Sequence, residues 1–145
     1  MITRILIPMD MRETNFAAKA LAIAINEAEN KQAELHVMTI VAGFHNPIVS
    51  SYFPALALQE AADEMTKHLN EYVKEKIPQG ISVSTSVHEG KPAECIVSQA
   101  KTLGADMIVM PAHSRNKIDR VLLGSTTAKV VERAPCSVLV IRESS

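Results

Sequence analysis

The residues best suited to chemistry lie near the end of the chain. Met110-Pro-Ala-His-Ser-Arg115 follows the apolar run Met107–Met110, and eight residues later Gly124-Ser125-Thr126 opens a helix-like segment. A strand, a basic loop and a glycine-led helix start are the parts of a phosphate cradle. The first-turn N–H groups of a helix have no intrahelical acceptor, and the helix dipole favours an anion there. Gly124-Ser125 reads equally as an ordinary glycine turn with a serine N-cap. His113 is either a phosphate donor or a surface residue. Arg115, Lys117 and Arg120 either supply charge to a phosphate or solvate the loop. Asp10 ends the first apolar run, where a carboxylate can accept from an adenine amino group or a ribose hydroxyl. It reads equally as a helix-start residue.

Other chemistries leave no comparable trace. There is no GxGxxG fingerprint, no GxxxxGK[ST] loop and no GxSxG elbow. Cys95 and Cys136 have no CxxC spacing, so they read as buried or semi-buried thiols. The five histidines are dispersed, with no HExxH, and no metal site made by protein ligands alone is expected. Fifteen basic and sixteen acidic side chains give a net charge of −1, which argues against a nucleic-acid binder or a polybasic membrane binder. No apolar run approaches the roughly 20 residues that cross a bilayer. The first residues lack the apolar stretch of a signal peptide. The expectation is a cytoplasmic chain whose 145 residues form one domain.

The elements that position these residues alternate in period. Continuous apolar runs mark strands buried on both faces: Arg4–Pro8, Glu34–Val41, Met107–Met110 and Ser137–Ile141. Ile81–His88 alternates and predicts a strand solvated on one side. Helical spacing predicts helices over Thr14–Glu29, with Thr14 as N-cap and Phe16 on the inner face, and from about Leu58 to Pro78. Two more follow, one opened by Pro92 and closed by Gly104, the other spanning about Ser125–Arg133. Residues 42–57, with Gly43, Pro47 and Pro54, read as irregular. Strands separated by helices imply a parallel sheet covered on both sides. In such sheets ligands sit beyond the carboxyl ends of the strands where the strand order reverses. The loops after the first and fourth strands then face one crevice.

These segments resemble the universal stress protein family along nearly the whole chain. Ile5-Leu-Ile-Pro-Met-Asp10 looks like the family's first strand, Ala33–Val41 like its second, and Glu89-Gly-Lys-Pro92 like its Gly-x-Pro turn. The most specific match is Leu122-Leu-Gly-Ser-Thr126 through Val130-Val131, Ala134-Pro-Cys136 and Val138–Ile141. The Thr39-Ile-Val41 exit and the Ser-Tyr-Phe-Pro loop are similar to the short, single-domain bacterial members. The resemblance implies a single open five-stranded parallel sheet in the order 3-2-1-4-5, with helices on both faces. It also implies a homodimer joined through Val138–Ile141, and an adenine nucleotide, ATP or a relative, with magnesium held by its phosphates. The adenosine side would be Pro8, Met9, Asp10, Ile40 and Met110. The phosphate side would be His113, Ser114, Arg115, Gly124, Ser125 and Thr126.

The ATP-binding members carry G-x-x-G, nine residues, then G-[ST]. This chain keeps the spacing but has Pro111 and Ser114 at the first two glycine positions. Proline removes a backbone donor, and a serine Cβ fills space that backbone would use to approach phosphate. Losing one charge-assisted donor costs about 1.5–3 kcal/mol, roughly ten- to a hundredfold in affinity. The implied function is a dimeric ATP-binding module in the stress response. The alternative is a nucleotide-free interaction module that acts through its dimer surface. No catalytic base is evident, so at most a slow ATPase is expected.

Overall fold

The computed structural model describes residues 1–41, 55–112 and 124–142. Its strands are β1 (Arg4–Met9), β2 (Glu34–Val41), β3 (Val83–Glu89), β4 (Met107–Ala112) and β5 (Ser137–Arg142). Between them run α1 (Thr14–Lys31), α2 (Ala55–Lys76), α3 (Pro92–Leu103) and α4 (Ser125–Arg133). Neighbouring strands all pair in parallel, in the order β3-β2-β1-β4-β5. This is the expected open α/β sheet.

Side-chain alternation along the strands divides the interior into two layers. Ile5, Ile7, Leu35, Val37 and Val109 pack with α1 and α2 through Ala20, Leu21, Ala24, Leu69 and Val73. Leu6, Met38, Ile108 and Met110 pack with α3 and α4 through Ile96, Ala100 and Val130. Four of the five buried α1 residues are alanines, which lets that helix sit close to the sheet. With 3% aromatic residues, tight aliphatic packing has to supply the apolar burial.

At the amino ends of the strands, Asp106 ties β4 to β1. Its Oδ2 accepts from the Thr3 N–H at 2.9 Å, the Thr3 hydroxyl at 2.9 Å and the Arg4 N–H at 3.1 Å. These bonds, the Thr3 backbone donor foremost, lower the Asp106 carboxyl below its usual range. Gly104 closes α3 in the left-handed region at φ 65°, a conformation glycine adopts without strain.

Several boundaries differ from expectation. Thr14 is the first helical residue, and Glu13 is the N-cap, with no side-chain cap bond. The capping position is set by the turn in which the Glu13 N–H donates to the Asp10 carbonyl at 3.0 Å. Helix α2 begins at Ala55, inside the segment read as irregular, because Ala and Leu propagate a helix readily. Residues 42–54 lie outside the described residues. Strand β3 starts at Val83, since Gly80, at φ 101°, turns the chain and the next two residues lead into the sheet. Nor does β3 have one simply solvated face. The Thr85 hydroxyl bonds Asn70 of α2, while Ser84 and Ser86 of the opposite face bond His36 of β2.

Candidate functional site

The two central strands part at their carboxyl ends. β1 pairs with β2 over six residues, but with β4 only at Ile5–Met107 and Leu6–Ile108. Pro8 on β1 and Pro111 on β4 both lie past that last shared rung. Proline has no N–H to give the β1–β4 ladder, while Pro8 keeps its rung with Met38 of β2 and Pro111 its rung with Ile141 of β5. The two prolines are thus compatible with strands that diverge, and the divergence opens a crevice at the switch point of the sheet.

A cavity of about 460 Å³ fills this crevice. From β1 and its exit come Pro8, Met9 and Asp10; from β2 comes Ile40, and from β4 Met110 and Pro111. The start of α4 adds Gly124, Ser125, Thr126 and Thr127. Eight of the eleven expected site residues therefore meet around one space. His113, Ser114 and Arg115 lie outside the described residues.

Local structure explains each placement. The buried Thr39 hydroxyl donates to the Met9 carbonyl at 2.8 Å, locking the ends of β2 and β1 together just before Asp10. Met9 and Met110 are both 5% exposed and form the apolar floor. Gly124 is the N-cap of α4, at φ −60° and ψ 157° with no side-chain cap bond, and Ser125 is the first helical residue. The serine N-cap reading is therefore corrected. Any residue adopts the Gly124 conformation; what glycine supplies is the space left by a missing Cβ. The Ser125, Thr126 and Thr127 N–H groups belong to the first turn, which has no intrahelical acceptors.

Asp10 does not cap α1. Its Oδ1 accepts from the Arg12 N–H at 2.9 Å and from Arg12 Nε at 3.1 Å, and its Oδ2 accepts from Arg12 Nη2 at 3.0 Å. The guanidinium pKa is raised, chiefly by this side-chain bond and then by the Asp10 charge. Sequence reasoning missed Arg12, Glu13 and Phe16, which rim the cavity, and Pro92 and Ile96, which α3 contributes. Phe16 had been placed on the inner face of α1, yet it is 40% exposed. It lies beside the buried stripe of Ala17, Ala20, Leu21 and Ala24 and lines the cavity instead. The available signal was a charged residue two positions, and an aromatic one six positions, past Asp10.

The arrangement offers an apolar slot, hydroxyls, helix-start N–H groups and one carboxylate–guanidinium pair. Such a set holds a flat polar ring at one end and an anion at the other. Among the described residues no three metal-ligating side chains gather. Cys95 and Cys136 are half-buried free thiols whose pKa values burial raises, which favours the thiol form.

An open parallel sheet with a cavity at its switch point defines a doubly wound α/β ligand-binding class. Residues 1–142 match the model of the universal stress protein family, and the chain belongs to that family. A universal stress protein of Methanocaldococcus jannaschii is 31% identical, over 97% of this chain and 82% of its own length. The universal stress protein YxiE of Bacillus subtilis is 29% identical, over 98% and 100%. The solved universal stress protein UspA from Lactobacillus plantarum is 31% identical over 97% of this chain and 98% of its own, with a TM-score of 0.70. Two more distant structures share the fold. One is a universal stress protein in complex with cAMP (20% identical, 99% and 98% covered, TM-score 0.66). The other is the Archaeoglobus fulgidus protein in complex with dAMP (19% identical, 97% and 99% covered, TM-score 0.64).

Proposed function

We propose that this chain is a single-domain adenine-nucleotide-binding module of the stress response, with ATP as the ligand. The cavity between Met9, Met110 and the α4 start carries this reading. The complexes of fold neighbours with cAMP and dAMP support it. Pro8, Met9, Asp10, Ile40 and Met110 would hold the adenosine. Gly124, Ser125 and Thr126 would hold the phosphates, together with His113, Ser114 and Arg115. A magnesium ion would be carried by phosphate oxygens. The module would bind and signal rather than turn over, in the cytoplasm, as a homodimer through Val138–Ile141. Edge position supports that dimer: β5 ends the sheet and Leu139 is 36% exposed.

One observation favours the second reading, a nucleotide-free interaction module. Pro111 occupies the first glycine position and lines the cavity without an N–H to donate. A single experiment separates the two. Purified protein is denatured, and the supernatant is analysed for nucleotide by absorbance and mass spectrometry. In parallel, melting is followed with millimolar ATP. Released adenine nucleotide, or a rise in melting temperature with ATP, supports the first reading. Neither signal would sink it. Light scattering of the wild type and Leu139→Asp tests the dimer; an unchanged mass for the variant refutes the β5 interface.

A further inference from the structure

We propose that Arg12 is the cavity's transferable cation, paired with Asp10 and passed to the anionic group of a bound ligand. This rests on the nucleotide reading above and adds a residue and a mode of selection to it. Three described charged residues line the cavity: Asp10, Glu13 and Arg12. Arg12 is the sole cation among them. An anion entering between two carboxylates is repelled unless a positive group meets it. The guanidinium is a planar fork that matches a phosphate through two parallel bonds.

The geometry makes the exchange inexpensive. The Arg12 and Asp10 side chains are 68% and 42% exposed, so solvent screens the pair and it contributes little to holding the fold. Asp10 Oδ1 also accepts from the Arg12 backbone N–H at 2.9 Å, so the carboxylate keeps a donor when the guanidinium leaves. The Glu13 N–H to Asp10 carbonyl bond and the Thr39 hydroxyl to Met9 carbonyl bond anchor the backbone of the loop independently of the Arg12 side chain. The guanidinium can therefore move without loosening β1 or α1. The helix-start N–H groups of α4 line the same cavity, so a phosphate there meets dipole and fork together. Arg12 thus sets the preference for charged over uncharged adenine ligands.

The test is titration calorimetry of wild type, Arg12→Gln and Arg12→Lys with ATP, AMP and adenosine at two salt concentrations. For Arg12→Gln the ratio of ATP to adenosine affinity should fall about tenfold, the loss of one charge-assisted contact. Adenosine binding should change by less than about twofold, and the salt dependence of ATP binding should become shallower. Arg12→Lys should restore part of the ratio, because it keeps the charge and loses the fork. Equal weakening of ATP and adenosine, or an unchanged ratio, would overturn the assignment while leaving the nucleotide reading standing. Wild-type protein that binds none of the three ligands overturns both.

Discussion

Two polar clusters in this molecule are built from similar parts and kept in opposite ways. At the cavity mouth, Asp10 and Arg12 lie two residues apart in one loop and face solvent. Against α3, His36 lies 9% exposed on β2 and is bonded across the sheet. His36 Nδ1 meets the Ser84 hydroxyl at 2.6 Å, and Nε2 meets the Ser86 hydroxyl at 2.7 Å. Ser86 in turn meets His88 Nε2 at 2.7 Å, and Gln99 of α3 reaches His36 Nε2 at 3.4 Å. Donors and acceptors balance when His36 carries its proton on Nδ1. That proton then goes to Ser84, and Nε2 accepts from Ser86 and Gln99. His88 then donates to Ser86. One cluster joins two strands and a helix through several side-chain bonds. The other includes an exposed carboxylate–guanidinium pair that a ligand can compete for. Polar residues aimed at a cavity stay exchangeable, whereas those aimed at a packed helix must be closed into a network.

The comparison is broken most severely by Gly124→Asp. A carboxylate and a Cβ at the α4 start should weaken ATP binding by more than about a hundredfold, since a like charge and extra bulk are added where phosphate would approach. The urea unfolding midpoint should hardly move. A large loss of stability would mean that the cavity end is as integral to the fold as the His36 cluster.

His36→Leu is the converse. It leaves the Ser84 hydroxyl without its donor and the Ser86 hydroxyl without its acceptor, at a cost of about 0.5–1.5 kcal/mol in urea unfolding. ATP affinity should be unchanged. If affinity fell with stability, the two regions would be coupled rather than separate.

Pro111→Gly returns a backbone donor to the cavity wall and should raise ATP affinity by up to about tenfold. An unchanged affinity would refute the idea that the missing N–H matters.

The smallest effect is that of pH. Burial first, and repulsion from His88 second, lower the His36 pKa; burial alone lowers that of His88. Unfolded histidine titrates near 6.5, so between the folded values and about 6.5 the unfolded chain binds more protons. Stability from this cluster is fully present above about pH 6.5 and is lost as pH falls through the folded values. Urea midpoints measured from pH 7.5 to 5 should decline. His88→Gln should flatten the decline, because it removes one titrating group and its repulsion. A decline unaffected by His88→Gln would place the acid sensitivity elsewhere.

Much of the fold was legible in the residues because local physics sets it. Continuous apolar runs such as Ile5-Leu-Ile7 mark buried strands, and the spacing of Ala20, Leu21 and Ala24 turns one face of α1 inward. Element order then leaves few topologies for a parallel sheet. Of the candidate site, Pro8, Met9, Asp10, Ile40, Met110 and Gly124–Thr126 were found because they sit at strand ends and a helix start, positions readable along the chain. Arg12, Phe16 and Ile96 were not found. A charge in a loop and an apolar residue at helical spacing look the same whether they face solvent, core or cavity.

Residue order and type are enough to mark the strands and helices, their parallel arrangement, and the family to which they belong. These follow from the period of apolar residues and from glycine and proline at the turns. Which side chains share a space depends on the assembled fold. It set Pro8 and Pro111 beyond the last β1–β4 rung, paired Asp10 with Arg12, and closed His36, Ser86 and His88 into one network. Residues 36 and 84 stand far apart in the chain; they meet because β2 and β3 pair in register, His36 to Ser84. Register and strand divergence are properties of the assembled sheet, so the contacts they create are absent from any local pattern.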